Sequence, residues 1–272
     1  MIRLSSRAGS PERPNEDWCA AFSTPTGNML IVLDGVTTPG ETGCRHDTPW
    51  YVRSLGAELM HLASDRGSSL GDVLAQAISD VTQSHTDTCD TGHRGTPAAT
   101  VAMARATDQH LEYLVLADAT IAIRKEEDVQ IVSDPRVSQI TASDAAEALR
   151  HPIGTIEHTT AVRRMSHHQQ LRRNRPGGYW VASSVPMAAN HAFTGVSDHD
   201  TDVALFTDGA SRIADLFAQR TWSRTMDLLR QDGPEALIDL VRATEHQDPQ
   251  GRTWPRFKAS DDAACVYCNL RE

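Results

Sequence analysis

Acidic residues stand at or beside the ends of short apolar runs at five places along the chain. They are Glu16-Asp17, Asp34, Asp118, Asp208 and Asp261-Asp262. Hard divalent cations such as Mg²⁺ and Mn²⁺ bind oxygen ligands, so scattered carboxylates that meet at a sheet edge would suit them. The alternative is ordinary turn chemistry, because aspartate and Asp-Gly are frequent in turns and hairpins. The spacing alone leaves both interpretations open.

The composition indicates a globular protein and argues against two classes of partner. Of 272 residues, 39% are hydrophobic and 23% are charged, which is enough apolar material for a sizeable core. A formal net charge of −10 repels phosphate backbones and anionic lipids, so we expect neither nucleic acid nor a membrane as a partner. No apolar run reaches the roughly 20 residues of a membrane span, and the first seven residues lack a secretory apolar stretch. These features predict a cytoplasmic location.

Five scattered cysteines do not form a disulfide framework, and we expect them to be reduced. Cys265 and Cys268 stand three residues apart in a predicted strand, where their side chains would point to opposite faces and could not act together. Cys44 and His46 offer two ligands for a soft metal, which is an incomplete set. The favoured interpretation is that this pair binds no metal.

Hydrophobic patterning predicts strands and helices in separate groups. A hairpin is predicted at residues 18–22 and 29–33, and a helix with one buried face begins at Leu70. Four short runs predict an antiparallel meander, at residues 98–106, 111–117, 120–124 and 129–133. Residues 142–170 are weakly helical, further strands are predicted at residues 179–183, 203–207 and 263–270, and helices at residues 210–218, 224–229 and 235–243. With no repeat or linker, we expect a single α+β domain over residues 1–272.

The acidic sites belong to an ordered set of sequence blocks. The blocks are residues 13–17 (RPNED), 30–36 (LIVLDGV), 95–98 (GTPA), 116–118 (LAD), 205–209 (LFTDG) and 260–262 (SDD). In order and spacing the set resembles the PP2C-type metal-dependent Ser/Thr protein phosphatases, over nearly the whole chain. The resemblance implies a four-layer αββα sandwich, in which two antiparallel sheets are flanked by helix pairs. It also implies a centre of two Mn²⁺ or Mg²⁺ ions, with a possible third, in a cleft at one end of the sheets.

The resemblance also implies roles for individual residues. Asp34 would bridge both metals, Glu16 and the Gly35 carbonyl would serve the second metal, and Asp208 with Asp261 would hold the first. Asp17 would orient metal-bound water, and Asp118 would bind the loosely held third ion. The implied reaction is attack on phosphorus by a hydroxide that bridges the two ions, without a protein nucleophile.

The chain departs from the family pattern at the phosphate grip and beside two ligands. The position of the family's phosphate-binding arginine holds Glu12, so we predict that Arg13 takes this role, with Arg7 as the second choice. Arg13 can turn inward if Pro11 and Pro14 keep the segment irregular. Asp262 and Ala264 replace the Asn and Thr of the family's last block. His46, in an unfamiliar stretch after the turn that follows Asp34, is a candidate proton donor to the leaving oxygen.

The expected reaction is hydrolysis of phosphate monoesters, with phosphoserine or phosphothreonine of a phosphoprotein as the substrate. A small phosphorylated metabolite is the first alternative, because the arginine block is altered. A phosphatase-like regulatory module without catalysis is the second, and the intact carboxylate set argues against it. Five arginines between Arg163 and Arg175 predict either an anion-binding loop beside the cleft or a solvated helix face.

Overall fold

The computed structural model describes residues 1–64, 67–107, 109–126, 128–198 and 202–270, and within these ranges the chain forms two antiparallel five-stranded sheets. The first sheet has the order β1-β10-β9-β6-β7, and the second has the order β2-β3-β4-β5-β8. The strands are β1 Ile2–Arg7, β2 Trp18–Thr24, β3 Gly27–Gly35, β4 Ala99–Ala106, β5 His110–Leu116, β6 Thr120–Lys125, β7 Asp128–Val132, β8 Phe193–Asp198, β9 Asp202–Phe206 and β10 Ala263–Asn269.

Helices cover the outer face of each sheet and one end of the sandwich. They are α1 Thr48–Leu62, α2 Leu70–His85, α3 Arg136–Ile140, α4 Ala142–Ala148, α5 Ile156–Arg172, α6 Asp208–Asp215, α7 Trp222–Gln231 and α8 Pro234–Gln247, with a short 3₁₀ helix at Pro186–His191. Helices α1 and α2 pack on the second sheet, and α6 to α8 pack on the first. Among the described helices, none combines the length and apolar character that crossing a bilayer demands.

The interior is divided into three apolar layers, which explains the four-layer arrangement. Alternate residues of each strand point to opposite faces. Leu30 and Val32 of β3 therefore pack between the sheets, whereas Ile31 and Leu33 pack against α1 and α2. The predicted αββα sandwich is confirmed. The opposite orientations of Cys265 and Cys268 are also confirmed, because Cys265 lies in the layer under α6 to α8 and Cys268 lies between the sheets.

Two secondary-structure predictions were wrong. The four runs from 98 to 133 do not form one meander: β4 and β5 belong to the second sheet, whereas β6 and β7 belong to the first. The chain changes sheets at Ala117, which has a left-handed φ of 66°. Residues 179–183 do not form a strand, since only isolated bridges pair Ala182 with Ala99 and Tyr179 with Arg173. Local patterning gives strand propensity but not the choice of partner, which depends on packing.

Antiparallel pairing brings the chemically interesting strand ends to one end of both sheets. Strand β2 begins where β3 ends, since Trp18 pairs with Leu33. In the other sheet β9 ends where β10 and β6 begin, since Phe206 pairs with both Cys265 and Thr120. The crossover between β5 and β6 lies at the same end. All the acidic blocks of the sequence therefore converge.

Candidate active site

A cleft at this end of the sandwich collects acidic side chains from five segments. Its members are Glu16, Asp17, Asp34, Asp118, Asp208 and Asp261, and we call this group the acidic cleft. Asp34, Asp118, Asp208 and Asp261 line one hollow. Glu16 lines a second hollow, which shares Asp261 with the first. The predicted metal-site residues are therefore brought together by the fold.

Asp34 lies at the centre of the group, at the end of β3. Its Oδ2 accepts a hydrogen bond of 3.3 Å from the backbone N–H of Asp208, the first residue of α6. The next residue must be small, because a Cβ at Gly35 would stand 2.5 Å from the carbonyl oxygen of Glu16 and 2.8 Å from its Cβ. Glycine at position 35 thus allows the segment that carries Glu16 to lie against the end of β3.

Asp262 fixes the segment that carries Glu16. Its two carboxylate oxygens accept hydrogen bonds of 2.7 Å each, from the backbone N–H of Gly9 and from that of Glu16. The Glu16 carboxylate in turn accepts a 2.5 Å hydrogen bond from the Thr37 hydroxyl. The family pattern has asparagine at position 262, and the aspartate of this chain supplies two acceptor oxygens. Asp262 therefore holds the backbone of Glu16, a member of the acidic cleft.

Asp17 lies buried behind the cleft. It is 8% exposed, and its Oδ2 has no hydrogen-bond partner among the described residues. Burial raises the pKa of Asp17 well above its usual range, and the charges of Asp261 and Asp208 raise it further. An oxygen that is buried and unpaired carries a desolvation cost unless another group satisfies it.

The carboxyls of Asp34, Asp118 and Asp208 also have raised pKa values. Burial raises the pKa of Asp34 well above its usual range, and the charges of Asp17 and Asp208 add to this effect. Desolvation by the surrounding protein and the charge of Asp208 raise the pKa of Asp118 to about 7. The pKa of Asp208 is also raised, by desolvation and by the charge of Asp261. This concentration of negative charge creates a strong preference for cations.

Two basic residues that sequence reasoning missed partly neutralise the cleft. The Lys258 ammonium lies 2.6 Å from an oxygen of Asp261, and the Arg212 guanidinium lies 3.2 Å from the other. Burial alone would raise the pKa of Asp261, but these two cations lower it below its ordinary value. Arg212 stands one helical turn after Asp208, and Lys258 stands three residues before Asp261. These spacings in the sequence could have indicated both ion pairs.

The two candidate phosphate-binding arginines occupy different environments. Arg13 is exposed and lines the hollow that also contains Glu16 and Lys258. Its segment is irregular, as Pro11 and Pro14 predict, since no strand is assigned between β1 and β2. Arg7 instead pairs with Asp239 of α8 at 2.6 Å. This ion pair holds the Arg7 side chain on the outer layer of the sandwich.

His46 contacts a different group of side chains. Its ring stacks on Trp50 with centroids 3.9 Å apart. It also packs edge-to-face against the His85 ring, with centroids 6.0 Å apart. Neither hollow that holds the carboxylates is lined by His46. Its role as a proton donor stays a prediction, and these contacts do not support it.

Helix α5 lies along the open side of the cleft. Val162, Met165 and Gln169 line the hollow opposite the carboxylates. The arginines of this region are divided: Arg164 lies 3.6 Å from Asp144 of α4, and Arg173 is buried and donates to the carbonyl of Thr96. Arg163 lines a groove that continues past Arg13. The arginines therefore form no single anion-binding loop.

Comparison with known proteins gives the family. A sequence profile of Protein phosphatase 2C matches residues 10–242, so the chain belongs to the protein phosphatase 2C family. Members of this family generally depend on Mn²⁺ or Mg²⁺. No match was found among the curated proteins.

Solved structures from bacteria share the fold. The serine/threonine phosphatase Stp1 of Staphylococcus aureus is 11% identical with a TM-score of 0.63, and the match covers 98% of this chain and 93% of Stp1. The serine/threonine phosphatase PstP/Ppp of Mycobacterium tuberculosis is 12% identical, with a TM-score of 0.59 and 98% and 97% of the two chains covered. PppA of Pseudomonas aeruginosa is 16% identical, with a TM-score of 0.56 and coverage of 98% and 96%. At these identities the likeness concerns the fold.

Proposed function

We propose that this protein is a metal-dependent phosphatase that hydrolyses phosphate monoesters, with phosphoserine and phosphothreonine of proteins as its substrates. One observation carries the proposal: carboxylates from five separate segments meet in one cleft, where burial and neighbouring charges raise the pKa of Asp17 and Asp34. Perturbed carboxylates that cluster in a cleft are typical of a functional site. The proposal treats residues 1–272 as one domain, and the expected cytoplasmic location stays a prediction.

The donor set of the acidic cleft fits hard divalent cations. Every donor is an oxygen, which suits Mn²⁺ and Mg²⁺ and disfavours softer ions. The buried Asp17 Oδ2, which has no hydrogen-bond partner among the described residues, and the crowded carboxylates of Asp34 and Asp208 fit such a centre. In our proposal the ions are held by Glu16, Asp34, the Gly35 carbonyl, Asp208 and Asp261, with Asp118 as the ligand of a third ion.

The protein groups then have distinct tasks. Bound divalent ions would neutralise phosphoryl oxygens and lower the pKa of water. Arg13 grips the substrate phosphate with two parallel N–H donors, which a lysine cannot reproduce. Asp17 accepts a hydrogen bond from the attacking water and orients it. Helix α5 restricts the open side, so that the phosphate enters between Arg13 and the carboxylates.

A groove beside the cleft supports a protein substrate over a small metabolite. It continues from Arg13 and Lys258 and is lined by Arg163 of α5, with Ile153 and Phe257 as apolar walls. A phosphopeptide could extend along this surface, with its acidic or apolar side chains against these residues. A small metabolite would contact only the hollow that holds the carboxylates.

A second candidate function follows from the ion pairs of Asp261. Because Lys258 and Arg212 already neutralise this carboxylate, the chain could bind phosphorylated partners without hydrolysing them. The two candidates differ in one measurable respect, since a binding module needs no metal for phosphopeptide affinity and produces no phosphate.

The deciding experiment measures hydrolysis of p-nitrophenyl phosphate with and without Mn²⁺, followed by a panel of phosphopeptides and phosphometabolites. We expect turnover that depends on Mn²⁺ or Mg²⁺ and a higher kcat/KM for phosphopeptides. Faster hydrolysis of a metabolite would change the substrate class. Absence of turnover at saturating Mn²⁺, together with phosphopeptide binding, would support the binding module.

A further inference from the structure

A second cluster of metal-ligating side chains lies outside the acidic cleft. Cys44, His85 and Cys89 place one potential ligand atom each within 4.8 Å of one another. Cys44 lies in the loop between β3 and α1, His85 is the last residue of α2, and Cys89 follows in the next loop. We call these three residues the Cys–His cluster. Its donors are sulfur and nitrogen, whereas the acidic cleft has only oxygen.

We propose that the Cys–His cluster is a binding site for a thiophilic divalent cation, with Zn²⁺ as the cation of matching chemistry. Two thiolates and one imidazole are a common donor set for Zn²⁺. This proposal rests on the geometry of the cluster and is independent of the proposed phosphatase activity.

The orientation of His85 supports ligation. Its Nδ1 lies 2.6 Å from the carbonyl oxygen of Val81, and a carbonyl can only accept, so Nδ1 carries the proton. The neutral tautomer then has its free lone pair on Nε2. Imidazoles that bind metals are typically fixed in this way, by donation from the other ring nitrogen to a carbonyl or carboxylate. The ring is 5% exposed and lies against Trp50, with centroids 5.1 Å apart.

Backbone amides surround the two sulfurs. The N–H of Arg45 donates to Cys89 Sγ at 3.3 Å, and the N–H of His46 donates to Cys44 Sγ at 3.4 Å. Hydrogen bonds of this kind stabilise a thiolate. Burial and the hydrogen bond with Cys89 raise the pKa of Cys44 to about 11, so binding of the cation must displace the Cys44 proton. The three residues leave one position of a tetrahedral ion unfilled by the cluster.

The two sulfurs must separate slightly for an ion to enter. They are 2.9 Å apart, whereas Zn–S bonds of about 2.3 Å at a tetrahedral angle hold sulfurs about 3.8 Å apart. A small χ1 rotation of the half-buried Cys89 supplies the difference. A disulfide between Cys44 and Cys89 is the competing chemistry, but it would not explain why the His85 ring is fixed beside the two sulfurs.

A bound ion would connect two segments that are distant in sequence. The Cys44 segment is already joined to the Cys89 segment by a hydrogen bond of 2.8 Å from the Asp90 N–H to the Gly43 carbonyl. The same loop begins directly after Gly35, at the floor of the acidic cleft. Zn²⁺ at the Cys–His cluster would therefore hold the loop that follows Asp34 against the end of α2.

The test titrates the full, reduced chain with Co²⁺ and then displaces Co²⁺ with Zn²⁺, in excess Mg²⁺ so that the oxygen ligands are occupied. We expect one equivalent of Co²⁺ with a thiolate-to-metal charge-transfer band and tetrahedral d–d bands, lost upon addition of one equivalent of Zn²⁺. Cys44→Ser, Cys89→Ser and His85→Gln should each weaken Zn²⁺ binding by at least about a hundredfold, because changes outside the ligand set already cost 10–100-fold. Cys19→Ser, a matched thiol-to-hydroxyl control, should keep full binding.

Several results would overturn the proposal. They are a reduced wild-type chain without the charge-transfer band, a band that survives in both Cys44→Ser and Cys89→Ser, and a Cys44–Cys89 disulfide whose reduction restores no Zn²⁺ binding. If a serine variant fails to fold, the wild-type Co²⁺ spectrum and His85→Gln still decide. Asp208→Asn should retain the band, which separates failure of this site from failure of the acidic cleft.

Discussion

The acidic cleft and the Cys–His cluster are two candidate cation sites with opposite chemistry and opposite origins. The cleft gathers oxygen donors at the ends of strands in both sheets, where extensive pairing fixes the backbone. The Cys–His cluster gathers sulfur and nitrogen from two loops and one helix end. Donor softness would direct different metals to the two places. If both proposals hold, side-chain chemistry alone would direct a hard cation to the acidic cleft and a thiophilic cation to the Cys–His cluster.

The two sites also differ in the charge and hydrogen bonding of their side chains without a bound cation. The cleft concentrates like charges, and burial together with neighbouring carboxylates raises the pKa of Asp34 and of Asp208. The Cys–His cluster holds an imidazole whose Nδ1 donates to a carbonyl and two sulfurs that accept from backbone amides. Removing a cation from the cleft should therefore destabilise the ionised carboxylates, whereas removing one from the cluster should free a loop.

The largest expected effect is on turnover. Asp34→Asn should lower kcat by at least about a hundredfold, because removal of a charged ligand exceeds the cost of changes outside the ligand set. The same variant should retain the thiolate–Co²⁺ band of the Cys–His cluster. Steady-state assays with Mn²⁺ and Co²⁺ spectra check both halves. Exposed Asp87→Asn is the matched control, and full activity in Asp34→Asn would refute the role of the cleft.

Arg13→Ala should reduce kcat/KM for an aryl phosphate by about tenfold to a hundredfold. A hydrogen bond to a charged group contributes about 1.5–3 kcal/mol, which corresponds to this range. Arg7→Ala is the matched control, because Arg7 pairs with Asp239 on α8. A loss within about twofold in Arg13→Ala would exclude this residue as the phosphate grip.

Asp262→Ala should destabilise the fold by about 1–3 kcal/mol, since the partly buried N–H groups of Gly9 and Glu16 lose their acceptor. Urea denaturation measures the change. Asp262→Asn keeps one acceptor oxygen and should lose less. Equal stability of the alanine variant and the wild type would show that these hydrogen bonds do not position Glu16.

The last prediction concerns the pH dependence of Asp118. Its folded pKa of about 7 lies above the ordinary aspartate value. The protonated form is therefore favoured by folding, and the stability that it contributes below the unfolded pKa is lost as pH rises through about 7. In EDTA, Asp118→Asn should raise Tm relative to wild type at pH 8 and match it near pH 4.

A pH-independent Tm difference between Asp118→Asn and the wild type would contradict this account. Saturating Mg²⁺ should remove the difference at pH 8 or reverse it, because the wild-type carboxylate then has a cation to bind. Thermal scans with EDTA and with Mg²⁺ at both pH values provide the comparison.

Much of the fold followed from local patterning and from the ordered sequence blocks. The buried face of the helix that begins at Leu70 could be predicted because its apolar residues repeat with helical period and stay within one buried layer. The pairing of the strands could not be predicted from local patterning. The chain changes sheets at Ala117, and the choice of partner for β6 depends on packing between layers that no local window contains.

The sequence by itself determined the residue types of the acidic cleft and their position at strand ends, because Asp and Gly after apolar runs are local features. Only the tertiary structure decided that Lys258 and Arg212 neutralise Asp261 and that Arg7 pairs with α8. It also brings His85 and Cys89 to Cys44, where the sequence offered only Cys44 and His46 and favoured no metal site. These ligands stand more than 40 positions from Cys44, and only the packing of the loop that precedes α1 against the end of α2 brings them together.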